Sequence, residues 1–256
     1  MASFSPTPDP APARLDRRLP LRGTRNLRDV GGYPVGEGRR TRWRTLLRTD
    51  ALDRLPPDSQ RALVELGLRQ VIDLRWAHEL AEFPSVFARS RQVRYRNVPL
   101  MDNAPNPRGV AATYRHILDT RAAELAIVAR ALLEPDGLPA VIGCAAGVDR
   151  TGVTIALLLS AVGVAADIVA GDYAQSVEHF AGDGKASGLD DWRGGEVTLD
   201  CRPEYMLESL DHLERKHGGA RSLLARRGLS ADELDRLTAL LTEPEAPAAD
   251  YSMTAA

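Results

Sequence analysis

Val141-Ile142-Gly143-Cys144-Ala145-Ala146-Gly147-Val148-Asp149-Arg150-Thr151-Gly152 is the stretch on which the fold turns. An apolar run from Leu138 to Ile142 leads into it, and a longer one from Val153 to Val162 leaves it. A short apolar run, a turn of small residues and a long apolar run predict a strand, a tight loop and a buried helix from Thr151 to about Val162. A loop at a helix N-terminus aims backbone N–H groups at one spot and so forms an anion site. Here a thiol, Cys144, opens the loop and a guanidinium, Arg150, closes it after five intervening residues. That pairing turns an anion site into one able to cleave a phosphate ester.

The same alternation extends on both sides. Strands are expected at Trp43–Arg48, Arg69–Leu74 and Val93–Val98, with a short helix at Asp58–Leu66 stopped by Gly67. Residues 113–133 read as one helix with Ile117, Leu118, Leu125, Val128 and Leu132 on a stripe. Asp167 is expected to cap a helix over Ile168–Val177. Residues 182–200, rich in Gly and Asp around Trp192, read as a long loop or lid. Helices follow at Arg202–His217, Leu223–Arg227 and Ala231–Leu241. The expected class is α/β: a central, partly parallel sheet flanked by helices, with a C-terminal helical cap. Pro- and Ala-rich tails are expected at residues 1–13 and 243–256, leaving one domain over 14–242.

Composition narrows the function. A 256-residue chain with 44% hydrophobic residues and a net charge of -2 has an ordinary globular balance and no general basic field. No nucleic-acid partner and no stable membrane association are therefore expected. Two cysteines, Cys144 and Cys201, make no disulfide framework, and the N-terminus has no signal-peptide pattern, so a cytoplasmic location is expected. The five histidines show no metal-ligand spacing, and His212 and His217 are expected to face solvent. No metal or other cofactor is required.

The loop residues divide the chemistry among themselves. Inward N–H groups, the positive end of the helix and the Arg150 charge all favour a Cys144 thiolate. Arg150 offers a fork of donors for two phosphate oxygens. Gly147 permits the turn, Ala145 and Ala146 let an anion approach the backbone, and Val148 is expected beside them at the substrate. Cys144 would attack phosphorus to give a cysteinyl-phosphate that water then releases, and the Thr151 hydroxyl would hydrogen-bond the departing thiolate. Asp73 and Arg75, ending a neighbouring strand, either orient the loop and Arg150 or form a buried structural ion pair. Cys201 reads as a packing residue.

With these residues in place the chain resembles the protein-tyrosine phosphatase superfamily, whose signature is His-Cys-x5-Arg. It is most similar to the bacterial group with a Cys-x-x-Gly-Lys-Asp-Arg-Thr-Gly loop, which includes mycobacterial phosphatases of triple specificity. Asn26-Leu27-Arg28-Asp29-Val30-Gly31-Gly32-Tyr33, Leu47-Arg48-Thr49-Asp50 and Val71-Ile72-Asp73-Leu74-Arg75 resemble motifs of that group. So do Asp167-Ile168-Val169-Ala170 with Asp172-Tyr173 and Ser176, and Arg202-Pro203-Glu204-Tyr205-Met206.

The resemblance implies a tyrosine-phosphatase-like fold and hydrolysis of phosphotyrosine or a related phosphomonoester, its partner being a phosphorylated protein or a small phosphate. It implies that Asp149 is the general acid; more distant relatives would place that role on Asp102, in the loop after a strand. Arg28 and Asp29 would hold the N-terminal segment on the core. Two positions depart from the pattern. Gly143 replaces the His that orders the loop, and Val148 replaces a Lys at the pocket mouth, which disfavours highly charged phosphoinositides. Two other readings are a phosphatase for a nucleotide or sugar phosphate and a phosphate-binding pseudophosphatase. A rhodanese-type sulfur transferase fits the Arg-Thr-Gly ending poorly.

Overall fold

The computed structural model describes residues 16–101, 108–181 and 200–245. Five strands form the main sheet: β1 (Arg28–Asp29), β4 (Leu46–Thr49), β5 (Gln70–Asp73), β6 (Arg94–Asn97) and β7 (Ala140–Gly143), in the order β1-β4-β7-β5-β6. β4, β7, β5 and β6 run parallel and β1 is antiparallel to β4. The strand that leads into the loop is thus the central one. Its last residue, Gly143, stands level with Thr49 on one side and Asp73 on the other. Turns leaving these three parallel strands therefore meet at one edge, where open α/β sheets collect their ligands.

Successive side chains of a strand face opposite sides of the sheet. Leu46, Ile72, Ala140 and Ile142 face the larger core, while Leu47, Val71 and Val141 face the smaller one with Leu27, Leu63 and Phe87. The small side is covered by α1 (Pro57–Glu65) and neighbouring loops. On the large side lie α3 (Val110–Thr120), α4 (Ala122–Leu133), α5 (Asp149–Ala161) and α6 (Ala166–Ala181), capped by α7 (Pro203–His217), α8 (Gly219–Arg226) and α9 (Ala231–Leu241). A short helix, α2 (Ala77–Glu82), follows β5. β2 (Pro34–Val35), β3 (Arg39–Thr41) and β8 (Thr242–Pro244) form a second, antiparallel sheet. Among the described residues no helix is long and apolar enough to cross a membrane.

The α/β class, the central sheet and the helical cap agree with the sequence. Several boundaries differ. The expected helix over 113–133 is two helices, broken where Arg121 leaves helical geometry at φ -115 and ψ 21. No Gly or Pro marks that break; Arg121 instead closes α3 through its N–H to the Ile117 carbonyl and opens α4 by accepting from Leu125. The strand expected from Trp43 starts at Leu46, because residues 43–45 turn and Arg44 takes a positive φ of 53. Asp167 lies inside the first turn of α6 instead of capping it, and α6 continues to Ala181. β8 extends the paired chain two residues beyond the boundary expected at 242. Asp102, Trp192, residues 1–13 and nearly all of the expected lid lie outside the described residues.

Candidate active site

The loop after β7 is shaped from behind. The Ala145 carbonyl accepts from the Ala51 N–H at 3.1 Å. The Asn26 amide donates to the Ala146 and Gly147 carbonyls, each at 3.1 Å, and Arg48 Nη2 donates to the Gly147 carbonyl at 2.8 Å. In a trans peptide the C=O of one residue and the N–H of the next point opposite ways. Holding these three carbonyls outward therefore turns the N–H groups of Ala146, Gly147 and Val148 inward. Among the described residues no acceptor takes those three N–H groups. They point at the concave side of the loop that begins with Cys144, and α5 adds its positive end.

Two glycines make this packing possible. A Cβ on Gly147, whose φ is +68, would stand 2.4 Å from the Thr49 carbonyl oxygen. A Cβ on Gly143 would stand 2.8 Å from Thr49 Cγ2. A histidine at 143 would require the Thr49 side chain to shift, and here the loop is ordered by Asn26, Arg48 and Ala51. Val148 also differs from expectation. Its side chain is buried in the core at 3% exposure, not placed at a pocket mouth, so it offers the loop only its backbone.

The rear supports are themselves fixed by a buried charge cluster. Asp172 of α6 pairs with Arg48 and, at 3.3 Å, with Arg28 Nε, and it accepts from the Tyr33 hydroxyl at 2.9 Å. Arg28 also donates to the Asn26 side-chain oxygen and to Ser176 Oγ at 3.2 Å. Burial would raise the Asp172 pKa, but the adjacent Arg48 and Arg28 charges outweigh it and hold the carboxyl below its ordinary range. Burial and the repulsion of Arg48 lower Arg28 to about 10, still charged at neutral pH.

At the front, Arg150 lies in the first turn of α5 at 8% exposure. Its Nη1 and Nη2 donate to the two Glu79 oxygens at 2.6 and 2.9 Å. Glu79 is fixed in turn by the Trp76 N–H at 2.9 Å, the reciprocal contact of a helix N-terminus. Burial alone would lower the Arg150 pKa, yet the Glu79 hydrogen bonds and the Cys144, Glu79 and Asp149 charges raise it, so the guanidinium is permanently charged. A guanidinium carries five N–H groups. End-on pairing with Glu79 leaves Nε–H and one Nη2–H side by side, a fork spaced for two anionic oxygens.

Cys144 is 3% exposed and Thr151 is fully buried, with no hydrogen-bond partner for its hydroxyl among the described residues. Asp149 is exposed and accepts from the Tyr114 hydroxyl at 2.7 Å, which meets the Tyr173 hydroxyl at 2.6 Å. Burial, the Asp149 charge and the Tyr173 contact all raise the Tyr114 pKa, so it stays a donor. Cys201 is buried, and burial with the Asp149 charge pushes its thiol up to about 11, as suits a packing residue.

Asp73 and Arg75 turn to each other: Arg75 Nη2 reaches Asp73 Oδ2 at 2.8 Å, Tyr95 adds a hydroxyl at 3.1 Å, and Arg75 Nη1 binds the Phe83 carbonyl at 2.9 Å. The carboxylate that orients Arg150 is Glu79. Sequence reasoning missed Glu79, Tyr114 and the supporting roles of Asn26, Arg48 and Asp172. For Glu79 a signal existed in the Trp76-x-x-Glu79 spacing after a strand end.

His212 and His217 are not solvent-facing as expected. Their Nε2 atoms lie 2.9 and 2.7 Å from Asp119 Oδ1, where α7 packs on α3, with Lys216 Nζ 2.8 Å from the other oxygen. Asp119, His212 and His217 are the group among the described residues whose donor atoms converge closely enough to hold a metal ion. The long-range Asp119 partner is what the spacing of the histidines does not reveal.

The tyrosine phosphatase family profile matches residues 19–243. A tyrosine-protein phosphatase of Nostoc commune is 28% identical over 211 residues, covering 75% of this chain and 72% of that protein. The triple specificity protein phosphatase PtpB of Mycobacterium tuberculosis is 28% identical over 195 residues, covering 62% of this chain and 68% of its own length. Among solved structures, a variant of TpbA from P. aeruginosa in complex with pTyr is 17% identical, with a TM-score of 0.38, over 79% of this chain and 90% of that one.

Proposed function

The chain belongs to the tyrosine phosphatase family, and from that premise we propose that it hydrolyses phosphotyrosine through a covalent intermediate on Cys144. The observation that carries this reading is the loop whose carbonyls are tied outward while Arg150 is clamped with a donor fork that no described residue occupies. Three phosphoryl oxygens need inward donors, and three N–H groups and the fork supply them.

The Cys144 thiolate attacks phosphorus, and the bond from phosphorus to the ester oxygen breaks. The leaving oxygen takes a proton from Asp149, at the exposed lip of the loop. Water then attacks the cysteinyl-phosphate, returns a proton to Asp149 and frees inorganic phosphate as the S–P bond breaks. The Thr151 hydroxyl, buried and without another partner among the described residues, stabilises the departing thiolate. Asp102 is the other candidate acid. Backbone N–H groups of Ala146, Gly147 and Val148 bind the phosphoryl oxygens, and Ala145 keeps the loop beside Cys144 small. Asp73 and Arg75 support the β5 end of the site without touching substrate.

The test is turnover of phosphotyrosine peptides, phenyl phosphate and a panel of nucleotide and sugar phosphates by wild type and Cys144→Ser. We expect the peptides to be turned over fastest, Cys144→Ser to bind without turnover, and EDTA to have no effect. Metal-dependent turnover that survives Cys144→Ser, or faster hydrolysis of a small metabolite, would overturn the reading.

A further inference from the structure

Three ligand-type side chains converge where α3 and α7 pack against each other. Asp119 stands near the end of α3, His212 lies within α7 and His217 is its last residue. The two histidines are five positions apart, outside the i, i+4 spacing that makes neighbours on one helix face. Asp119 brings them together. Both Nε2 atoms contact its Oδ1, and the two rings lie 5.9 Å apart, edge to face. The three ligand atoms all lie within 4.8 Å of one another.

The chemistry of the cluster selects its ligand. Lys216 Nζ takes the other Asp119 oxygen at 2.8 Å, so the carboxylate presents one oxygen to the histidines. Burial would raise the Asp119 carboxyl, but the Lys216, His212 and His217 hydrogen bonds hold it down at about 2, so it is an anion at neutral pH. A single carboxylate oxygen suits neither calcium nor magnesium, which surround themselves with oxygen ligands. Two imidazoles and a carboxylate are instead a ligand set for zinc and its transition-metal neighbours. The side chains of His217, His212 and Asp119 are 13, 18 and 25% exposed, so water can complete the coordination. Ligand atoms around tetrahedral zinc stand about 3.3 Å apart. The contacts of 2.7 and 2.9 Å therefore need to open by roughly half an ångström, which small side-chain rotations supply. Each imidazole then carries its proton on Nδ1 and turns the Nε2 lone pair to the ion.

We propose that Asp119, His212 and His217 form a zinc site that staples α7 to α3 and takes no part in phosphoryl transfer. The same two helices are otherwise joined by the Arg115–Glu208 pair at 3.3 Å, which is exposed and contributes little. An ion bound by the folded chain adds stability in proportion to the logarithm of its concentration above Kd. The staple therefore acts on the helical cap, and the loop of Cys144 keeps its own supports.

The experiment uses the full chain carrying Cys144→Ser, because a loop thiolate would itself take zinc. Calorimetric titration with zinc chloride, and thermal melts in zinc, magnesium or EDTA, are compared with the same protein carrying His212→Gln, His217→Gln or Asp119→Asn. The expected result is one zinc ion per chain and a melting temperature raised by about 5–10 °C at free zinc about a hundredfold above Kd, with no shift in magnesium. Each substitution is expected to weaken zinc binding by about a hundredfold or more. The cobalt(II) form reads the ligands without any of these three substitutions: its absorption should be that of nitrogen and oxygen ligation, without the thiolate charge-transfer band that Cys201 would give. A melting temperature that zinc leaves unchanged, binding that any of the three substitutions leaves intact, or a thiolate band in the cobalt form overturns the proposal. The histidines would then serve only to hydrogen-bond Asp119.

Discussion

Two carboxylates hold arginines around the loop, and they do so to opposite ends. At the rear, Asp172 takes Arg28 and Arg48, which also donate to Asn26, Ser176 and the Gly147 carbonyl, while Arg48 Nε is buried without a partner among the described residues. At the front, Glu79 takes one end of Arg150 and leaves its side edge open. Both ion pairs are buried, yet one fixes the shape of the peptide backbone and the other presents charge to a ligand. Burial and pairing alone therefore do not reveal which arginine works on substrate, nor does a single unspent donor, since Arg48 Nε is one; two adjacent unspent donors beside the loop mark Arg150.

The contrast is broken most forcefully at the rear. Asp172→Asn leaves two buried guanidinium groups without their counter-charge and is expected to destabilise the fold by about 3–5 kcal/mol in urea unfolding. A loss below about 1 kcal/mol would show that the cluster is not what fixes the loop's frame. Glu79→Gln is expected to act the other way, lowering kcat/KM on the order of 10²-fold as Arg150 loses its orientation, with a smaller loss of stability that phosphate partly restores. Equal damage to stability from both variants would erase the distinction between the two pairs.

Asp149→Asn sharpens the front further. A general acid matters when the leaving oxygen is basic, so phenyl phosphate turnover should fall by about ten- to a hundredfold and p-nitrophenyl phosphate turnover by much less. Running Asp102→Asn in parallel assigns the role, since the acid is the variant that shows this leaving-group dependence. The smallest effect belongs to His179. Its folded pKa is about 4 against an ordinary 6.5, so the unfolded chain gains a proton that the folded chain refuses. Its contribution is present above pH 6.5 and is lost as pH falls toward 4. His179→Gln should reduce the stability lost between pH 7 and pH 5 by roughly 1–2 kcal/mol, read from urea midpoints at both pH values.

How much of this was legible in the sequence follows the same divide. The front was largely readable, because Cys144, Gly147, Arg150 and Thr151 sit in one local run whose spacing is itself the chemistry. The alternation of apolar runs likewise revealed the central strand and α5. The rear was not readable as a device. Asn26, Arg48 and Asp172 stand in the stretches that carried the family resemblance, but nothing local says that 120 residues of separation close into a hydrogen bond between Asn26 and Ala146. Position 143 shows the cost of reading locally: Gly143 looks only like a lost histidine until the close approach of Thr49 to its Cα is seen. The break at Arg121 escaped notice because no helix-breaking residue marks it, and only the packing of α3 and α4 reveals it.

The central claim is that the loop carries phosphate on its cysteine. Acid quenching of turnover with a phosphate-labelled aryl phosphate, followed by peptide mapping, measures it directly. The account predicts label on the peptide containing Cys144 and none in Cys144→Ser. Label on another residue, or wild-type turnover by Cys144→Ser, would contradict it.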